Sequence, residues 1–192
     1  NWASTQMSSH AGGDRMVDSP WPAIEPQAFK AVMACWASGV TIATTRYEQA
    51  PVGMTVSSFA SVSLHPPQVL VCVNQQAHTH GAISTSGYFA VNILNVEQQE
   101  WGMRFAGLRP DVTDRFAGIE WYIARSGAPI LPGVLAWLDC QVRHALASGD
   151  HTIVVGEVID HGLSPERAPL LYYRREWRSL APLTIQSEHQ NR

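Results

Sequence analysis

Residues 49–96 contain no Asp, Glu, Lys or Arg, and the other three quarters of the 192-residue chain carry all 13 basic and 16 acidic side chains. Charged side chains concentrate on solvated surface. A charge-free quarter is therefore read as core, subunit interface, ligand site, or all three. Within it, "GMTVSSFASVSLHPP" (residues 53–67) alternates between two kinds of side chain. Met54, Val56, Ser58, Ala60, Val62 and Leu64 are mostly apolar, whereas Thr55, Ser57, Phe59, Ser61 and Ser63 mostly carry hydroxyls. Period two predicts a strand with unlike faces. A run from 53 to 64 is about twice the usual strand length, so a bend or bulge is expected around Ser57–Ser58. The hydroxyls either face water on an edge strand or line a surface that holds something polar.

The length suits one domain, and 45% hydrophobic residues suffice for a core. A net charge of −3 with no basic block argues against nucleic acid and anionic membrane as partners. No apolar stretch approaches the roughly 18–20 residues of a membrane span, and no charged-then-apolar signal sequence opens the chain. Cys35, Cys72 and Cys140 are few, odd in number and widely spaced. They fit reduced thiols in a cytoplasmic protein, each read as a small buried hydrophobe rather than a zinc or disulfide element.

Residues 1–20 are polar and aperiodic and are read as a flexible lead-in, with Met7 as the natural start and "NWASTQ" as a non-native leader. Residues 21–182 form the domain and 183–192 a polar tail. "PQAFKAVMACWASG" is read as a helix, because Phe29, Val32, Met33 and Trp36 recur at helical spacing, Pro26 opens it and Gly39 suits its end. Strands follow in "VTIATTRY", "QVLVCVN" and "YFAVNIL". A short helix over 79–86 is closed by Gly87, and "VEQQEWGMRFAG" is helical. After a loop-rich stretch from 109 to 132, "VLAWLDCQVRHAL" and "HTIVVGEVID" form a hairpin across "ASGD". Helices do not alternate regularly with strands, so the fold class is mainly β: an antiparallel barrel with a few peripheral helices.

No Rossmann, P-loop or serine-hydrolase fingerprint is present. His78 and His80 in "AHTH" lack a neighbouring carboxylate or cysteine, so no metal site is assigned and a polar loop or helix start is favoured. An anion at that helix start is physically reasonable. His151 leaves a turn at a strand start, and Glu157 shares a strand face with Ile153 and Val155. On spacing alone, an exposed hairpin histidine with a rim carboxylate is as good a reading as a functional pair. Among the late aromatics (Phe105, Phe116, Trp121, Tyr122, Tyr172, Tyr173, Trp177), most are read as core or dimer interface.

Six stretches in order, "SGVTIATT", "GMTVSSFASVSLHPPQVLVCVN", "FAVNIL", "RFAG", "GDHTIVVGEV" and "PLLYYR", resemble the flavin reductase-like family, from about residue 26 to 180. These are FMN-binding split barrels that serve as reductase components of two-component flavin monooxygenases. The resemblance implies a homodimeric, six-stranded split barrel. It also implies non-covalent FMN or FAD near the subunit interface, NAD(P)H as co-substrate, and a flavin-dependent monooxygenase as partner.

Carried over by position, Thr55, Val56, Ser57 and Ser58 lie by the flavin ring and ribityl chain, and Ser61, Val62 and Ser63 toward ribityl and phosphate. Asn74, Thr79 and His80 are further ribityl or phosphate contacts. Phe105, Ala106, Arg115 and Phe116 border the cofactor, and Tyr173 is a further candidate. His151 sits where nicotinamide approaches, orienting it rather than acting as a general base. One departure is that residues 49–96 supply no cation for a phosphate, so an arginine from outside them must help. Two other readings remain open. One is an oxidase or oxygenase that keeps its flavin; the other is a non-enzymatic split barrel that binds flavin or haem.

Overall fold

The protein's structure, a computed structural model, describes residues 21–164 and 166–181. The lead-in over 1–20 with its Met7 start, and the tail over 183–192, lie outside the described residues. Two units are distinguished. The first ends at Met33 and contains α1 (Pro26–Met33); the second begins at Ala34. Among the described residues, no helix is long and apolar enough to cross a membrane.

The second unit runs β1 (Ser38–Gly39), β2 (Thr41–Tyr47), β3 (Ala50–Val56), β4 (Ala60–Leu64), β5 (Pro67–Asn74), α2 (His78–Ser86) and β6 (Tyr88–Ile93). A 3-10 turn (Val96–Gln98) then leads into α3 (Gln99–Phe105), followed by β7 (Tyr122–Ile123) and β8 (Pro129–Ile130). The long hairpin β9 (Ala136–Ser148) and β10 (His151–Leu163) comes next, and the short hairpin β11 (Leu171–Tyr173) and β12 (Glu176–Arg178) closes the described chain.

The main sheet has the order β3-β2-β6-β9-β10-β5-β4, antiparallel throughout. Its two edge strands, β3 and β4, are consecutive in the chain, joined only by Ser57, Ser58 and Phe59. Four Cα steps reach at most about 14 Å, so the sheet must curl until its edges meet. Counted as one bent strand, β3 and β4 give six strands closing on themselves, which is the antiparallel split barrel anticipated from the sequence.

The bend falls at Ser57–Ser58 as expected, and it changes the phase of the alternation. Before it, Val56 is buried in the barrel core with Met54 packed against it. After it, Phe59 packs on the core while Val62 and Leu64 are exposed. Even positions therefore point inward only up to the bend, because a one-residue slip exchanges the two faces of a strand. A register shift between Ser61 and Ser63 adds a second irregularity.

The N-terminal helix is shorter than its periodicity predicts. It stops at Met33, and Phe29, Val32, Met33 and Trp36 are all exposed. The Ala34 carbonyl, which a continuing helix would use internally, accepts instead from the Arg174 N–H at 2.8 Å. Ser38 and Gly39 pair with Tyr172 and Leu171. Pairing with a distant hairpin has overridden local helix propensity. Cys35 is likewise exposed, whereas Cys140 is buried as expected and Cys72 is half-buried.

Two apolar clusters dominate. Val69, Val71, Val73, Phe89, Val91 and Val154 fill the barrel. Ile42, Leu94, Phe105, Phe116, Leu131 and Leu170 form a layer outside it, backed by Trp101, Trp121 and Trp177. β2 is buried on both sides because Ala43 faces one cluster and Ile42 the other. On the neighbouring β6, the buried Asn92 donates to the Ile42 carbonyl and accepts from the Leu131 N–H.

Gly156 sits at a register shift in β10, and a Cβ there would lie 2.6 Å from the Phe89 ring and 2.8 Å from the Cys140 Cβ. Gly156→Ala is expected to cost about 1–3 kcal/mol by overpacking, read as a lower urea midpoint. An unchanged midpoint would show that Phe89 has room to move.

Candidate functional site

A cleft of about 470 Å³ opens where β3, the start of α2, the end of α3 and the segment around Arg115 converge. Nothing charged comes from β3, which contributes Pro51, Gly53, Met54 and Thr55. Gly53 is required by a close approach: a Cβ there would meet the Phe105 ring at 2.9 Å. Phe105 is itself locked edge-on against Phe116, with centroids 4.9 Å apart.

Arg115 is the cation that the charge-free stretch lacks. Its Nη1 donates to the Gly53 and Phe105 carbonyls, each at 3.1 Å, tying β3 to the end of α3. This pins the guanidinium at the cleft wall and leaves its remaining donors for a ligand. Asp114, beside it, accepts from the Phe116 N–H and shapes the turn that presents Arg115.

Opposite, α2 enters the cleft with Ala77, His78 and Thr79. Ala77 is its N-cap, and no side chain caps it. Helix starts leave N–H groups without an internal partner, and their dipole favours an anion. A pinned guanidinium and an uncapped helix start therefore face a largely neutral, partly apolar wall. That donor set fits an anionic tail on a flat, mostly neutral body.

A smaller slot of about 210 Å³ adjoins, sharing Thr55 and Ala106 with the cleft and adding Ser57, Leu108, Tyr172 and Trp177. Thr55 donates to the Gly102 carbonyl of α3 at 2.7 Å, so its hydroxyl proton is engaged within the protein and only its acceptor lone pairs remain. Tyr172, rather than its neighbour Tyr173, lines this slot, as strand alternation requires. Tyr173 lies under the Arg174 guanidinium instead.

The remaining sequence candidates lie elsewhere. Ser58 hydrogen-bonds both the N–H and the carbonyl of Cys72 on β5, at 2.9 and 3.2 Å. Val56 is buried in the barrel, so only its backbone can face a ligand. Ser61, Val62 and Ser63 sit on β4, away from the cleft, with Ser61 and Val62 exposed.

Asn74, His80 and His151 come together at a second corner, where β5, β10 and α2 meet. Asn74 pairs with His151 across the ladder, and His80 Nε2 lies 2.9 Å from the Thr152 hydroxyl. His151 Nδ1 is 2.8 Å from Asp150 Oδ1, and this hydrogen bond holds the Asp150 carboxyl below the usual carboxylate range. Glu157, from the same strand, pairs with Arg143 at 2.9 Å and is a rim ion pair.

Cys140 is buried, and the pKa of its thiol is pushed up to about 12 by burial and by the adjacent Asp139. The described residues contain no group of three or more metal-ligating side chains. Sequence reasoning took the run from residue 53 to 63 along the flavin, which includes Gly53 and Met54, but gave no lining role to His78 or Asp114.

Comparison with known proteins identifies the family. The family model described as "Flavin reductase like domain" matches residues 33–181. The reductase subunit HsaB of a flavin-dependent monooxygenase from Rhodococcus jostii is 41% identical over 160 residues, covering 83% of this chain and 80% of that one. An NADH-dependent FAD reductase from Streptomyces globisporus is 39% identical over 147 residues, 76% and 80% of the two chains. Among solved structures, BorF, the flavin reductase component of a bacterial two-component tryptophan halogenase, superposes with a TM-score of 0.75 at 35% identity. That match covers 83% of this chain and all of that one.

Ser58 stands in for a strand residue at the barrel corner. Ser58→Ala removes both of its bonds to Cys72 and is expected to lower stability by about 1–3 kcal/mol, measured by denaturant unfolding. No loss would mean that water replaces the hydroxyl at no cost.

Proposed function

This chain belongs to the flavin reductase-like family and is a flavin reductase; on that premise we propose that it takes hydride from NADH to an exchangeable flavin, which then leaves for a partner monooxygenase. The observation that carries this reading is the cleft, with neutral walls on β3 facing Arg115 and the uncapped start of α2. FMN and FAD both carry a 5′-phosphate on the ribityl chain, terminal in FMN and part of a pyrophosphate in FAD, and both present a flat ring with polar edges, which this donor set matches. The names of relatives point to NADH as reductant.

The flavin, when bound, supplies the two-electron acceptor. The chain's own residues position and shield. Gly53 and Met54, with Phe105 behind them, present an apolar wall against which a planar ring packs and from which water is excluded. Arg115 and the first turn of α2 hold the anionic end. Only one guanidinium is in place, and two of its bonds are already spent on carbonyls, so affinity is expected to be modest. That suits a group that must be released after each turnover.

We assign His151 the role of orienting the nicotinamide, with its Nδ1 held by Asp150. No side chain has to move a proton in a hydride step, and proximity and orientation are what the protein contributes.

We further assign a homodimer, working in the cytoplasm. Val62 and Leu64 on β4 are exposed within the charge-free segment, and a second copy is the occupant that explains an apolar edge without charges. In such a dimer Ser61 and Ser63, remote from the cleft of their own chain, belong to the shared face.

The test is NADH oxidation with FMN, FAD and riboflavin, each in excess over protein. Many turnovers per protein chain are expected. With oxygen excluded, oxidation limited to one equivalent per chain despite excess free flavin would instead indicate a retained flavin. His151→Ala is expected to raise KM for NADH about tenfold, the loss of one good contact, with flavin affinity unchanged. Unaltered steady-state and hydride-transfer kinetics would remove His151 from the site.

A further inference from the structure

A second cleft, of about 450 Å³, lies at the tip of the β2–β3 hairpin and is separate from everything assigned so far. Thr45 to Gln49 and the last turn of α2 form one side, and residues 126–128 the other. The two large clefts meet at one contact. Tyr47 lines this one, His78 lines the first, and their rings touch edge-on with centroids 5.6 Å apart. The same helix also serves both, its start in the first cleft and its end, Thr85 and Ser86, in the second. At 1.5 Å per residue, the six to eight steps between these lining residues separate the two by about 9–12 Å.

The hairpin tip is held in a costly shape. Glu48 and Gln49 have φ of 48° and 71°, the left-handed pair of a type I′ turn, which favours Asn-Gly. Long side chains there cost on the order of 1–2 kcal/mol each. Arg46 closes around the turn by donating to the Gln49 carbonyl and side-chain oxygen. The rim of this cleft is thus fixed by the two-residue hairpin, with Glu-Gln standing where Asn-Gly would cost less.

The lining chemistry is specific. Arg46 and Glu48 oppose each other in sign, so the cleft has little net charge for a free anion. Tyr47 and Tyr88 offer aromatic surface, and Thr85, Ser86 and Ser126 offer hydroxyls. Such a site suits a neutral, flat, hydrogen-bonding body whose phosphates are held elsewhere. The first turn of α2 and Arg115 are where phosphates would be held.

We propose that this second cleft is a 5′-adenylate subsite that takes the adenosine end of FAD, with the pyrophosphate passing over the Tyr47–His78 contact. It rests on the flavin reductase reading and refines it: FAD, rather than FMN, is the flavin for which the chain is built. The separation along α2 matches the reach of a pyrophosphate, ribose and purine in line. Because NADH also carries an adenylate, the test separates the two sources.

Thr85 is exposed on the last turn of α2, so Thr85→Trp fills the cleft without disturbing the core. Tyr47→Ala, which removes the shared aromatic contact, is the second variant. Dissociation constants for FAD and FMN by flavin fluorescence, and KM for NADH with each flavin, are read for wild type and both variants. Wild type is expected to bind FAD more tightly than FMN. Each variant is expected to weaken FAD about tenfold, with FMN and the KM for NADH within about twofold of wild type. AMP is expected to compete with FAD and not with FMN.

Equal effects on the two flavins, or no effect on either, would overturn the subsite. A rise confined to the KM for NADH would overturn the FAD assignment and give the adenylate to the nicotinamide nucleotide. Failure to reduce any flavin would instead strike the enzyme reading itself.

Discussion

The barrel closes at one covalent corner, and the pair of hydrogen bonds from Ser58 to Cys72 holds that corner in place. At this point the chain leaves β3, hydrogen-bonded to β2, and enters β4, hydrogen-bonded to β5. A backbone that turns this sharply cannot keep its own ladder bonds, so a side-chain hydroxyl takes over one pair. Thr55, three residues earlier, makes the next link by donating to the Gly102 carbonyl of α3. Arg115 then ties Gly53 to the end of the same helix. The cleft exists because these three links fix α3 and the Arg115 segment against β3, so its shape is inherited from barrel closure.

Much of the fold is legible in the sequence because its signals are local. Period two marks β3 and β4, excess length marks the bend at Ser57–Ser58, and Gly87, in a left-handed conformation, ends α2. The errors lie where partners distant in sequence decide. Nothing near Ala34 reveals that Arg174 will take its carbonyl. Nothing in the alternation of residues 53–64 reveals which face survives the bend.

The site divides in the same way. A hydroxyl-rich strand facing a ligand was a fair reading of composition, but hydroxyls are also the residues best able to repair a broken ladder, and sequence does not distinguish the two uses. Thr55 and Ser57 line space, whereas Ser58 serves the backbone. The need for a cation from outside residues 49–96 was visible from the charge count alone. Which arginine supplies it was not, because Arg115 reaches Gly53 across 62 positions of chain.

Absence of charge marks two different surfaces in this molecule. On β3 it keeps the cleft wall compatible with an uncharged ring, and any fixed charge there would have to be desolvated when a ligand arrives. On β4 it has no such use, since Ala60, Ser61, Val62 and Leu64 are exposed. An exposed edge strand usually carries lysine, glutamate or an internal proline to discourage pairing with other chains, and this one carries none of them. Water gives no reason for a sequence to exclude charge there; an apolar partner does. On the dimer proposed above, the same 48-residue stretch would serve a ligand on one strand and a second copy of the chain on the next, with the Ser57–Phe59 bend dividing the two roles.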